Sequence, residues 1–262
     1  MIRLIASDVD GTFCDGNSSY NKERFAKQLK RMKELGIFFV IASGNEYKAM
    51  YSKFQPFSDD LYFVCDNGCT IAKGKEMLAM KTIDNETANQ IAWACDRQED
   101  LVSIVSCEKH CFMPWKFKDY KSHFENYFFA IEFLDSLFDL PEKVLKFSVV
   151  DPDCKIDRFV DALQRDLPEG FVALTAGNEC IDIMPKLVSK GTGLEELMEM
   201  HGIQPEESMA FGDQMNDLSM FSLVKHSYAM ANAIAAVKEA AEEIAPSNHD
   251  EGVLEIIDRW LI

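Results

Sequence analysis

Four stretches of the chain gather carboxylates, glycines and small hydrogen-bond donors: Asp8-Val9-Asp10-Gly11-Thr12, Ser43-Gly44-Asn45, Ser189-Lys190 and Gly212-Asp213-Gln214-Met215-Asn216-Asp217. Carboxylates brought to one point repel each other unless a hard cation lies between them. Mg²⁺ suits such a place, because it takes a few carboxylates and fills its remaining positions with water and substrate phosphate. Lys190 adds a second positive centre at the start of a helix capped by Ser189, where the helix dipole reinforces it. The Ser43 hydroxyl and the amides around Gly11 and Gly44 can donate to an oxyanion, the glycines letting backbone approach closely. Each stretch by itself reads as a turn or a helix cap. Together, in order and at the ends of elements, they read as one site that holds an anion through a cation.

The elements that must position these residues are legible from periodicity. The run Ile2 to Ser7 predicts a strand, Asn21 caps a helix carrying Phe25, Leu29 and Met32 that Gly36 stops, and Ile37 to Ala42 predicts a strand covered on both faces. A short helix is expected over Glu46 to Phe54, a strand over Leu61 to Cys65, and a hairpin of Cys69 to Ala72 with Met77 to Lys81. From Asp84 the rhythm changes: a helix over Asn85 to Asp96, a hairpin of Leu101 to Cys107 with Cys111 to Trp115, and an aromatic-rich amphipathic helix over Asp119 to Phe129. A strand over Leu145 to Val150, a helix marked by Ile156, Phe159, Val160 and Leu163, and a hairpin of Phe171 to Ala176 with Cys180 to Met184 around Gly177-Asn178 complete this part. The α/β rhythm then returns with the helix after Ser189, strands at Ser208 to Phe211 and Ser227 to Met230, and a closing helix near Val253 to Leu261. The pattern predicts an α/β protein: a doubly wound parallel-sheet core in two parts, residues 1–82 and 188–262, with an α+β domain, residues 83–187, inserted between them. In such a sheet ligands bind beyond the carboxyl ends of the strands, where three of the four stretches fall.

Composition narrows the partners. With 44 acidic against 27 basic residues the formal net charge is −17, which opposes both nucleic-acid binding and docking on anionic lipid. A small anion is admitted only where a metal or a local cation reverses the field. The opening apolar run is broken by Asp8 too early for a signal core, and nothing approaches a membrane span, so the cytoplasm is the expected compartment. Eight cysteines in this setting are expected to be reduced. The pairs Cys65/Cys69 and Cys107/Cys111 flank turns and read as small hydrophobes rather than zinc ligands.

Asp8-x-Asp10-Gly11-Thr12 together with Gly212-Asp213-x-x-Asn216-Asp217 resembles the haloacid dehalogenase superfamily of phosphatases, in the Cof-like subgroup with a large (type C2, IIB) cap. The resemblance spans essentially the whole chain and implies a Rossmann-like core, a cap that closes over the leaving group, and a small phosphorylated metabolite as substrate, sugar phosphates foremost. It implies Asp8 as nucleophile, Asp10 as general acid/base, and Lys190 as the cation that stabilises nucleophile and phosphate. Phosphate contacts fall to Gly11, Ser43, Gly44, Lys190 and Asn216. Mg²⁺ is implied as cofactor, held by Asp8, Asp213, Asp217 and the main-chain carbonyl of Asp10. Asn45 stands where such sequences often carry Arg, which removes a cation beside the phosphate, and Leu187 stands where they often carry Gly. A binding or regulatory protein with weakened catalysis, and a phosphotransferase or mutase passing the phosphoryl group to an acceptor, are the alternative readings. The loop Gly177-Asn178-Glu179 and Trp115 or Tyr120 are candidates to face the substrate, although Trp115 reads first as a core or rim aromatic and is not counted as a site residue.

Overall fold

The computed structural model describes residues 1–98, 100–125, 128–151, 156–175 and 180–261. In chain order, the first part of the core holds β1 (Leu4–Ser7), α1 (Lys22–Leu35), β2 (Phe38–Ala42), α2 (Tyr47–Lys53), β3 (Tyr62–Cys65), β4 (Thr70–Lys73) and β5 (Glu76–Met80). The interposed segment holds α3 (Asn85–Asp96), β6 (Val102–Cys107), β7 (Cys111–Pro114), α4 (Lys121–Phe124), β8 (Ile131–Leu134), β9 (Val144–Val150), α5 (Asp157–Asp166), β10 (Phe171–Thr175) and β11 (Cys180–Pro185). The chain closes with α6 (Lys190–His201), β12 (Ser208–Gly212), α7 (Leu218–Phe221), β13 (His226–Met230), α8 (Ala235–Ala240), β14 (Glu243–Ala245) and α9 (Gly252–Trp260). Two compact units result, Met1–Ala79 with Ser189–Ile262, and Met80–Val188.

In the first unit, the strand order β14-β13-β12-β1-β2-β3-β4-β5 runs parallel from β14 through β3, and β4 turns antiparallel on β3. Successive strands move outward from β1 one way (β2, β3) and, after the interposed segment, the other way (β12, β13, β14). The topological switch point, where ligands collect in such sheets, therefore lies between β1 and β12. The register sets Ser7 opposite both Ile41 and Phe211, and the Asp8 amide donates to the Phe211 carbonyl at 3.1 Å. The motifs following β1, β2 and β12 are thus level with one another. Helices hold their predicted bounds through their caps: the Asn21 side chain accepts from the Arg24 amide, and Gly36 ends α1 in the left-handed conformation. At the surface, Arg24 ties α1 to α9 and the turn before it through Glu251, Glu255 and Asp258.

The second unit is a sheet of order β10-β11-β9-β6-β7-β8, antiparallel except for the β7/β8 pair. One face packs Ile91 and Cys95 of α3 and Leu163 of α5 against Val105, Phe147 and Ile183. A second cluster gathers Val102, Ile104, Cys111, Met113, Phe124 and Val150.

One expectation fails here, and one strand comes without an expectation. Where an amphipathic helix was expected over Asp119 to Phe129, of which residues 126 and 127 lie outside the described residues, the chain forms a 3-10 segment, Trp115–Tyr120, followed by the single turn of α4. Aromatic residues crowd this stretch and Phe124 turns inward to the sheet, so packing of individual rings outweighs a weak helix preference. β8 was not expected at all: its four residues are half-buried or exposed at a sheet edge, too short a run for alternation to stand out. The turn at Gly177-Asn178 lies outside the described residues, although β10 and β11 pair antiparallel as a hairpin requires.

Candidate active site

The four stretches converge at the carboxyl ends of β1, β2 and β12. The Lys190 ammonium, on the first residue of α6, donates to Asp8 Oδ1 at 2.6 Å and to Asp217 Oδ1 at 2.7 Å. Its side chain is 1% exposed. Asp217 turns its other oxygen to the amides of Asp213 (2.9 Å) and Gln214 (3.0 Å), closing the loop after β12 upon itself. Asp213 accepts the Thr12 hydroxyl at 2.9 Å, which joins that loop to the one after β1.

Backbone conformation makes these approaches possible. Gly11 has φ +85°, and a Cβ there would stand 2.6 Å from Asp213 Oδ2, so only glycine lets the first motif lie against the last. Gly68, at φ +100°, would drive a Cβ to within 2.1 Å of the Ser189 carbonyl. The turn after β3 therefore supports the start of α6, where the Ser189 side chain accepts from the Thr192 amide and fixes the exit direction of Lys190.

The electrostatics follow from burial. Burial pushes the Asp8 carboxyl up to about 8, with Asp217 and Asp213 adding to the rise and Lys190 opposing it. Asp213 is raised for the same first reason, against hydrogen bonds from Thr12 and Gln214. Burial alone would lower Lys190, but Asp217 and Asp8 outweigh it and hold the ammonium above its ordinary value, so it stays charged. Three carboxyl groups crowd one ammonium in a place shielded from water, and a bound cation would favour their ionised forms. Asp8, Asp213 and Asp217 each present an oxygen within 4.8 Å of the others, a hard-oxygen donor set that fits a Mg²⁺-sized cation. The Asp10 carboxylate is not part of that group; its expected contribution was the main-chain carbonyl.

Other expected residues lie nearby. Ser43 is buried after β2, and its hydroxyl accepts from the Asn45 amide at 3.0 Å. Gly44 sits beside Asn67, whose Oδ1 accepts from Asn216 Nδ2 at 3.2 Å. Several participants were not singled out from the sequence. Asp66-Asn67-Gly68, the turn that Cys65 and Cys69 flank, is not among the candidate residues from the sequence, although the rule that ligands gather beyond parallel strand ends applies to β3 as it does to β1. Lys53 contacts Asp10 at 3.3 Å and Asn45 Nδ2 donates to Asp10 at 2.7 Å, contacts for which the sequence carries no periodic or motif signal. Asn232 donates to the Gly11 carbonyl at 2.7 Å from the loop after β13. In the other unit, Trp115 is half exposed and stacked on Phe133 at 4.8 Å, and Tyr120 is exposed. Gly177-Asn178-Glu179 lies outside the described residues. Leu187 is exposed.

Cys14, Cys65, Cys69, Cys95, Cys107 and Cys111 are buried and Cys180 is partly buried, while Cys154 lies outside the described residues. Among the described residues no helix is long and apolar enough to cross a membrane.

Comparison with known proteins agrees with this geometry. Residues 5–257 match the family model of haloacid dehalogenase-like hydrolases, and the chain belongs to that family. Within it the chain is a phosphatase. It is 35% identical to the 5-amino-6-(5-phospho-D-ribitylamino)uracil phosphatase YbjI of Escherichia coli (strain K12), over 99% of this chain and 96% of that protein. It is 25% identical to the phosphatase of the same description, YwtE, of Bacillus subtilis (strain 168), over 99% of this chain and 98% of that one. The crystal structure of SMU.1108c from Streptococcus mutans UA159 superposes with a TM-score of 0.91 at 32% identity, covering 100% of this chain and 99% of that one.

Proposed function

We propose that the chain is a Mg²⁺-dependent phosphomonoesterase that hydrolyses small phosphorylated metabolites, sugar and sugar-alcohol phosphates foremost, through an aspartyl phosphate on Asp8. The observation that carries this reading is the buried Lys190 bound to both Asp8 and Asp217, with Asp213 beside them. Asp8 attacks phosphorus and the bond to the leaving oxygen breaks; Asp10 gives that oxygen a proton. Asp10 then takes a proton from water as the water attacks the aspartyl phosphate, which returns Asp8 and releases phosphate. Two moderate barriers replace one high barrier. Lys190 neutralises charge on Asp8 and on the phosphoryl oxygens, while Ser43, Asn216 and the amides at Gly11 and Gly44 orient those oxygens. Asp8, Asp213 and the Asp10 carbonyl would hold Mg²⁺, which supplies Lewis-acid neutralisation of the phosphoryl group when bound. Asp217 belongs to the same group, and both of its oxygens also hold the framework together.

The substrate class is supported by the Escherichia coli relative, named for an ester in which phosphate sits on a ribityl chain. Segment 83–187 is assigned the role of cap, and the buried thiols of Cys14 and Cys95 support a cytoplasmic location. The test is phosphate release from a panel of sugar and sugar-alcohol phosphates with Mg²⁺ and with chelator, for wild type and Asp8→Asn. Mg²⁺-dependent release that vanishes in Asp8→Asn is expected. Release that survives in the variant removes Asp8 from its role, and phosphate retained on an acceptor sugar makes the chain a transferase instead.

A further inference from the structure

Asp8 and Asp10 stand two residues apart and meet different surroundings. The Asp8 side chain is 10% exposed and gripped by Lys190, whereas the Asp10 side chain is half exposed. A half-exposed carboxylate on a turn is free to rotate, yet proton transfer requires it within hydrogen-bond reach of the leaving oxygen at the moment that bond breaks. Something must hold it.

We propose that Lys53, acting with Asn45 and Ser18, is the positioning residue for Asp10. Lys53 Nζ lies 3.3 Å from Asp10 Oδ1 and donates to Ser18 Oγ at 2.7 Å; Ser18 Oγ in turn reaches the same Oδ1 at 3.4 Å. Asn45 Nδ2 donates to Oδ2 at 2.7 Å. Both oxygens are therefore held, from two sides, by groups on different elements. Lys53 comes from the last turn of α2, Asn45 from the loop between β2 and α2, and Ser18 from the loop after the first motif, at a left-handed φ of 59°. The Lys53 side chain is 20% exposed, lying well down against the protein rather than extending into water. Each oxygen of a carboxylate carries two acceptor positions, so these donors fix the group's orientation and still leave room for a proton.

This inference rests on the acid/base role proposed for Asp10, and its test separates the two. Leaving groups differ in their need for a proton. An alkoxide departs only if protonated as the phosphorus–oxygen bond breaks, whereas 4-nitrophenolate departs without one. Single-turnover rates of leaving-group release with Mg²⁺, ribitol from ribitol phosphate and 4-nitrophenolate from 4-nitrophenyl phosphate, are measured in wild type, Lys53→Met, Lys53→Arg and Asp10→Ala, so that the later attack of water, common to both esters, does not enter. Lys53→Met is expected to slow the ribitol ester roughly 10- to 100-fold, part of what general acid catalysis contributes. Its 4-nitrophenyl rate should stay within about threefold, KM for both esters should hold, and Lys53→Arg should recover most of the loss, because position and not chemistry is lost. Asp10→Ala should show the same selectivity, more strongly. Equal slowing of both esters by Lys53→Met, or a rise in KM alone, overturns the inference while a selective Asp10→Ala leaves the acid/base reading standing. An unselective Asp10→Ala overturns both.

Discussion

Among the described residues two lysines are buried, Lys190 in the core unit and Lys146 in the interposed unit, and their settings differ in kind. Lys146 lies in the middle of β9 and binds Asp182, in the middle of β11, at 2.9 Å; Asp182 accepts Ser148 on its other oxygen at 2.6 Å. These three are cross-strand neighbours on one sheet face, since Asp182 is opposite Ser148 and diagonal to Lys146. Strand register alone is enough to bring them together. Lys190 sits at a helix start, and its partners stand 182 residues before and 27 residues after it, at the ends of other elements. Three carboxylates crowd around that one ammonium. The interposed pair joins two strands of a sheet, whereas the core cluster gathers more carboxyl groups than its one ammonium can offset, a set that a bound cation would balance. A buried charge inside a strand is a packing solution, and buried charges at converging strand ends are prepared for a ligand.

The widest separation of the two settings comes from removing the carboxylate partner of each. Asp8→Asn should lower turnover at least about 10⁴-fold with the fold intact by circular dichroism, as expected for a nucleophile. Asp182→Asn should leave turnover of 4-nitrophenyl phosphate within a few-fold of wild type, and a loss comparable to that of Asp8→Asn would erase the distinction.

Next come the lysines themselves. Lys190→Met should cost about 10² to 10³ in kcat as a lost electrostatic stabiliser. It should also cost roughly 3 to 5 kcal/mol of stability, because buried carboxylates lose their counter-ion. Lys146→Met should cost a similar amount of stability in denaturant titration with little effect on the rate constant of the chemical step.

A divalent cation sharpens the contrast without activity as the readout. Mg²⁺ should raise the melting temperature of wild type, and Asp213→Asn should abolish that rise, whereas Asp182→Asn should leave it unchanged.

Metal-free stability should also depend on pH in one direction. Asp8 titrates near 8 in the folded chain against 3.8 ordinarily, so the folded state binds the extra proton. Its contribution is present at low pH and is lost as pH rises through about 8. Between those values the metal-free wild type should lose stability relative to Asp8→Asn; parallel profiles for the two proteins would contradict the assignment. The smallest effect is expected at Arg24, whose ion pairs with Glu251, Glu255 and Asp258 are partly solvated. Arg24→Ala should cost about 1 kcal/mol or less and leave turnover unaltered.

Much of the core was legible because its signals are local. A short continuous apolar run such as Ile37 to Ala42, bounded by Gly36 and Ser43-Gly44, reads as a covered strand, Asn21 and Gly36 bracket α1 by their own chemistry, and Ser189 announces α6. Less of the other unit was legible. β8 is an edge of four half-exposed residues, and the stretch around Phe124 obeys ring packing rather than periodicity, a property of neighbours distant in sequence. The short α7, α8 and β14 also escaped, being too brief for a period to show.

By itself the sequence determined which residue types stand at the ends of the strands and helices and in what order most of the elements come, since residue type, cap and period act within a few positions along the chain. It did not determine who holds Asp10. Lys53 and Asn45 reach that carboxylate only because β1 and β2 pair in register and α2 folds back beside them. The same holds for Lys190, whose placement between Asp8 and Asp217 needs the β1/β12 switch point and a turn after β3 that only Gly68 permits. Contacts between residues far apart in sequence are set by sheet order and close approach of backbones, and those exist only once the chain has folded.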